Sequence, residues 1–202
     1  MNMHKWLDET NKLNTLLSSL CFTDKNRDNI DVDLAFKLWY ELTIKLKNDS
    51  RTIYLIGNGA SASMASHFSA DLAKNAGLHT EVFSDLSLIT AISNDVGYEH
   101  VFAEPLKRRG KKGDILVAIS SSGRSPNIIR AVRMASKLGM VSITLSAMSP
   151  TNALRKIGDL NAYIPADSYG YAETCHAAIL HYWMDLVCKK IDKGKNFTTN
   201  RH

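Results

Sequence analysis

The segment Ile115–Asn127, Ile-Leu-Val-Ala-Ile-Ser-Ser-Ser-Gly-Arg-Ser-Pro-Asn, limits the fold more than any other part of the chain. Five consecutive apolar residues, Ile115 to Ile119, show no alternation with polar ones, so a strand here is buried on both faces. Pro126 then suits the first turn of a helix, where its missing N–H leaves nothing unpaired. A strand covered on both sides and leading directly into a helix belongs in an α/β domain. Ser120, Ser121, Ser122 and Ser125 crowd the junction around Gly123. A helix N-terminus carries unpaired N–H donors and partial positive charge, which suits an anion. Serine hydroxyls add uncharged donors. An ordinary helix start needs one capping serine; four hydroxyls exceed that need and point to a phosphate.

The rest of the chain repeats the alternation. Apolar spacing predicts helices over 4–20 and 31–47, with Asp31 as N-cap and a polar loop between them over 21–29. Strands are predicted at 52–56, 80–83, 114–119, 140–146 and 160–164. Helices are predicted at 61–76, 86–93, 101–109, 126–138, 151–157 and 172–192. Five strands separated by helices imply a parallel sheet in a three-layer α/β sandwich, with ligands at the carboxyl ends of the strands. The expected organisation is a helical extension over 1–50, one α/β domain over 51–192 and a polar tail over 193–202. Whether the two leading helices pack on the domain or on another subunit stays open.

At 202 residues, 45% hydrophobic and 22% charged, the chain can bury a substantial core. Its net charge of +5 is spread along the sequence, so no nucleic-acid partner is expected. Cys21, Cys175 and Cys188 lack metal-type spacing, and their low, odd number fits a reducing cytoplasm. The leading residues Met-Asn-Met-His-Lys-Trp have no apolar signal core, and no apolar run reaches the ~20 residues of a membrane span, so no membrane partner is expected.

A second loop follows the first strand: Gly57-Asn58-Gly59-Ala60-Ser61 again places glycines at a turn and a hydroxyl at a helix start. It lacks the third glycine of a dinucleotide fingerprint. His67 and Asp71 stand at i, i+4 on one helix face, suited to metal binding or acid–base chemistry, or simply a solvated polar face. The last helix carries Glu173, His176 and His181. His181 lies among Ile179, Leu180, Tyr182 and Trp183, and so reads either as catalytic or as a core histidine. Asn94 and Asp95 precede Gly97 at an expected loop, placed to contact substrate or to cap a turn.

Taken together, these residues resemble the sugar isomerase (SIS) domain family, and within it the phosphoheptose isomerases. The resemblance runs through Gly57-Asn-Gly-Ala-Ser61, His67-Phe68 with Asp71, Asn94-Asp95, Gly113-Asp114, Ser120-Ser-Ser-Gly-Arg-Ser125, Gly139-Met140 and the His176–His181 helix. It implies a flavodoxin-like fold with a five-stranded parallel sheet and a homotetramer with active sites between subunits. The implied reaction converts sedoheptulose 7-phosphate to D-glycero-D-manno-heptose 7-phosphate, a lipopolysaccharide heptose precursor. It further implies substrate binding by Asn58, Gly59, Ser61, Asn94, Asp95, Ser120, Ser121, Ser122 and Ser125, and catalysis by Asp71 and His181. A zinc site of His67, Asp71, Glu173 and His181 is implied as well. The chain departs from the family in three places. Asp71 replaces a glutamate. Gly170-Tyr-Ala-Glu-Thr-Cys-His176 replaces an Arg-Ile-Gln-Glu segment: aligned on the histidines, Glu173 stands where the family has a metal-binding glutamine, and aligned on Gly-Tyr-Ala that glutamine is deleted. Asn75 replaces a substrate-facing arginine. A non-catalytic tetramer of the same fold, binding a phosphosugar or the bacterial replication initiator, is the competing expectation.

Overall fold

A computed structural model describes residues 5–194. In chain order the elements are α1 (Trp6–Ser18), β1 (Cys21–Asp24), β2 (Asn29–Ile30), α2 (Val32–Asn48), β3 (Thr52–Gly57), α3 (Ala60–Ala76) and β4 (His79–Val82). They continue with α4 (Leu86–Asp95), α5 (Ala103–Arg109), β5 (Ile115–Ser120), α6 (Pro126–Lys137), β6 (Val141–Ser146), β7 (Leu160–Tyr163) and α7 (Tyr169–Gly194). One sheet runs in the order β2-β1-β7-β6-β5-β3-β4. From β7 to β4 neighbouring strands are parallel, as the strand–helix alternation requires. Most of the expected tail, residues 195–202, lies outside the described residues.

The expected five-stranded parallel sheet is corrected to a seven-stranded mixed one. Residues 21–30, read as a polar loop, supply a short hairpin whose first strand pairs antiparallel with β7, Cys21 opposite Tyr163. Phe22, fully buried, is the main core anchor of this segment; Thr23 is also buried, and Ile30 packs partly buried against the core. The turn is built by the Asp24 carboxylate, which accepts from the backbone N–H groups of Asn26 at 2.8 Å and Asp28 at 2.9 Å. Four residues with one large apolar side chain give too little periodicity to announce a strand. The leading segment is therefore not purely helical: it extends the sheet of the main domain.

Alternate residues of the central strands serve the two layers. Ile53, Leu55, Val117, Ile119, Ile143 and Leu145 join Phe68, Leu72, Trp39 and Trp183 in a core under α2, α3 and α7. Tyr54, Ile56, Leu116 and Ala118 join Phe83, Leu106, Ile128 and Val132 on the opposite face. Each fully buried side chain of this size contributes about 1.5–3 kcal/mol. The open question about α2 is answered within the chain, for it packs on α7. The Trp39 and Trp183 rings stack at 4.4 Å, and the Trp183 indole N–H donates to Thr43 Oγ1 at 3.1 Å. Asp31 caps α2 by accepting from the Leu34 N–H at 3.0 Å, and Gly77 ends α3 in a left-handed conformation, both as expected. The short helix expected at 151–157 is a single 3-10 turn, Leu154–Lys156. Among the described residues no helix is long and apolar enough to cross a membrane.

Candidate active site

Strands β3 and β5 are parallel neighbours, with Gly57 opposite Ile119, so the loops that follow them emerge side by side at the carboxyl edge of the sheet. The first loop turns tightly into α3. A Cβ at Gly57 would lie 2.5 Å from the Ser61 backbone, so no larger residue fits there. In the second loop Gly123 sits at φ +61°, and a Cβ would strike Asn152 Oδ1 at 2.1 Å. Asn152 is held beneath it by donating to Ser146 Oγ and to the carbonyls of Ala147 and Ser149.

The hydroxyls are left for a ligand. Ser125 is the N-cap of α6, yet its side chain makes no capping bond to the helix. Ser120 Oγ lies 3.4 Å from Ser125 Oγ, and Ser122 Oγ accepts from the Arg124 N–H at 3.3 Å. Ser121 Oγ is buried without a partner among the described residues. Together with Asn58, Ser61, Ile119, Tyr169 and Glu173, these serines line a cleft of about 150 Å³. Donors converge there from the first turns of α3 and α6, an arrangement suited to an anion. Gly59 lines an adjoining apolar pocket instead, with Asn58 shared between the two. The segment that delivers Tyr169 and Glu173 is tied down by α1. Lys12 pairs with Asp167 at 3.1 Å, and the Tyr171 hydroxyl donates to the Glu9 carboxylate. That bond, with burial, pushes the Tyr171 hydroxyl up to about 12.

Farther along α3, His67 Nε2 stands 3.5 Å from Asp71 Oδ2. The exposed His181 ring of α7 meets Phe68 edge-on at 4.7 Å and His67 at 5.7 Å. Asp71 and His181 thus share the α3–α7 seam. Of the two readings of His181, the core one is wrong; the core histidine of α7 is His176. It is fully buried, neither ring nitrogen has a hydrogen-bond partner among the described residues, and burial lowers its pKa to about 4 against an opposing pull from the Ser146 backbone.

The expected zinc ligands do not gather. Glu173 belongs to the serine cleft, about 12 Å along α7 from His181 at 1.5 Å per residue. Among the described residues no three His, Cys, Asp or Glu side chains are grouped to hold a metal. The described residues of one chain therefore do not fit zinc. Asn94 and Asp95 are the last residues of α4 rather than a loop. They are exposed, Asn94 donates to Asp95 at 2.9 Å, and neither lines the cleft. Sequence reasoning missed Asn127, Tyr98, Asn152 and Tyr169. A polar residue directly after Pro126 was the one available signal, for Asn127.

The SIS domain family model matches residues 35–147. Over 160 residues the chain is 32% identical to a phosphoheptose isomerase of Campylobacter jejuni, covering 76% of this chain and 83% of that protein. With a phosphoheptose isomerase of Sulfurimonas denitrificans it shares 32% identity over 195 residues, 94% of this chain and 97% of the relative. The chain belongs to the SIS domain family. A solved phosphoheptose isomerase from Neisseria gonorrhoeae superposes with a TM-score of 0.78 at 27% identity, over 90% of this chain and 94% of that one. The SIS match takes in both phosphate-suited loops, His67 and Asp71, but ends before α7. Tyr169, Glu173 and His181 lie outside the matched segment.

Proposed function

We propose that this SIS-domain protein is an aldose–ketose isomerase that converts sedoheptulose 7-phosphate to D-glycero-D-manno-heptose 7-phosphate, a step toward lipopolysaccharide heptose. The observation that carries the reading is that α3 and α7 each lead from the serine cleft, which Ser61 and Glu173 line, to the Asp71–His181 group. Along α3, Ser61 and His67 are about 9 Å apart and Ser61 and Asp71 about 15 Å. That interval suits a long sugar held by its phosphate at one end and worked on at its carbonyl end.

Ser61, Ser120, Ser122 and Ser125 hold the phosphate, so binding energy remote from the reacting carbons orients them. Asp71, as base, removes the proton from the carbon next to the carbonyl and returns it to the former carbonyl carbon. His181 moves the second proton between the two sugar oxygens through the enediol, which leaves proton count and charge balanced. His67, paired with Asp71, fixes the carboxylate.

The non-catalytic reading rests on one observation, that Asp71 is a methylene shorter than a glutamate and already engages His67. An assay of the purified protein with sedoheptulose 7-phosphate, following the aldose product with and without added zinc, separates the two. Aldose formation supports the isomerase, and its absence in both conditions favours the binding protein. A zinc requirement would mean ligands drawn from a second chain. We further propose a cytoplasmic setting, on the low, odd number of cysteines.

A further inference from the structure

Asn127 does not line the serine cleft, and it is 2% exposed. Its side chain is nonetheless fully engaged with a residue that does line it. Asn127 Nδ2 donates to Asn58 Oδ1 at 2.8 Å, and Asn58 Nδ2 donates back to Asn127 Oδ1 at 3.0 Å. Asn127 Oδ1 also accepts from the Ile128 N–H at 2.9 Å, inside the first turn of α6. Asn58 Oδ1 takes a second donor, the Tyr98 hydroxyl, at 3.1 Å. An amide oxygen has two acceptor sites and an amide nitrogen two donor hydrogens. Both oxygens are therefore filled, and Asn58 keeps a single N–H for any ligand.

This reciprocal pair joins the loop after β3 to the loop after β5. The first contributes Ser61 to the cleft; the second contributes Ser120, Ser122 and Ser125. An anion gripped from both loops is held well only if their separation is set to within a fraction of an ångström. A buried amide that loses its partner is costly, so the pair holds in one arrangement.

We propose that Asn127 is a positioning residue for phosphate binding: by locking Asn58 it fixes the Ser61 loop against the serine loop, so that the two act as one site. Asn58 is then the other half of this lock, with one N–H left for the substrate. The proposal rests on the reading of the cleft as a phosphate site.

The test measures calorimetric affinity for inorganic phosphate and for sedoheptulose 7-phosphate, together with melting temperature, in the full chain and in Asn127→Ala, Asn127→Ser, Asn58→Ala and Asn58→Ala/Asn127→Ala. Asn127→Ser retains a small polar group near the Ile128 N–H but is too short to reach Asn58, which keeps the test available should Asn127→Ala fail to fold. Loss of the lock should weaken both probes by about tenfold in each Asn127 variant, the scale of one or two buried hydrogen bonds. The double variant should be no weaker than the poorer single one, because both substitutions break the same pair. In the isomerase assay KM should rise with kcat little changed. A lowered melting temperature with parental affinity in the folded protein would mean a structural role only, and would overturn the proposal. So would single losses that simply add in the double variant. A parent that binds neither probe overturns the phosphate reading and this proposal together, whereas a parent that binds while Asn127→Ser matches it overturns this proposal alone.

Discussion

At Asp71 a one-methylene difference decides between two functions, and substitutions there test them directly. In an isomerase Asp71→Asn removes the base and His181→Gln removes the titratable proton while keeping a hydrogen-bonding group. Each should lower kcat by about 10²-fold or more, the usual size for a lost general acid or base, with phosphate-driven binding little changed. Asp71→Glu restores the longer reach and should keep or raise kcat; steady-state rates on sedoheptulose 7-phosphate read all three. Turnover of Asp71→Asn at the parental rate would remove Asp71 as the base. The hydroxyls are tested separately. Because Ser125 makes no capping bond, Ser125→Ala, like Ser120→Ala, should leave the melting temperature near that of the parent. Sugar-phosphate binding should weaken by about tenfold or more in calorimetry, the cost of a charge-assisted hydrogen bond. These residues were legible in the sequence because their chemistry is local: four serines within six positions, and an i, i+4 pair on one turn. Asn127 and Tyr98 were not, because their partner Asn58 lies 69 and 40 positions away in the chain.

On α7 the five-residue step from His176 to His181 turns about 140° round the helix, so the two histidines cannot both face the core. Only the packing of α7 shows which one points inward: His176 is fully buried, whereas His181 is exposed beside Phe68 and His67 of α3. That packing has a measurable consequence. His176 titrates near 4 in the fold against 6.5 in the unfolded chain. The unfolded chain therefore takes up the proton first as pH falls. The stability is fully present above about 6.5 and is lost progressively between there and 4, at about 1 kcal/mol per pH unit. Denaturant melts at pH 7.5 and pH 5 should show this loss in the parent. In His176→Leu, which removes two unpartnered buried nitrogens, the loss should shrink with no penalty at pH 7.5. An equal pH slope in both proteins would show that His176 is not the group responsible. The β1–β2 hairpin was illegible for a related reason: with Phe22 its one large buried side chain, its place in the fold is set by pairing with β7, more than a hundred residues later.

Across the whole molecule, the five parallel strands followed from the alternation of strand and helix patterns: the runs of β3, β5, β6 and β7 are buried on both faces, and β4, at the sheet edge, is half-buried at most. What the leading helices cover did not follow, since an apolar stripe states only that it is buried. Within the chain that stripe is shared out unevenly. Trp39 and Phe36 of α2 are buried against α7, whereas Trp6 of α1 is 79% exposed and Leu7 66%, and Leu34 and Leu38 of α2 are 48% and 38% exposed. Beside Leu34 and Leu38, a groove of about 390 Å³ runs between α2 and α7, lined by Phe36, Tyr40, Tyr182 and Leu186 with Asp33, Lys37 and Lys189 around them. Exposed apolar side chains in this number suit an association surface. We propose that they bury one another in a homotetramer, and light scattering at micromolar concentration should return the mass of four chains. Leu34→Glu with Leu38→Glu places charges in the contact while leaving the Trp39–Trp183 stack untouched, so the variant should fold and shift to a smaller species. If the acid–base pair is completed at a subunit boundary, kcat should fall along with the mass. A smaller species with full kcat would confine the active site to one chain, and a parent that scatters as a monomer would remove the tetramer altogether.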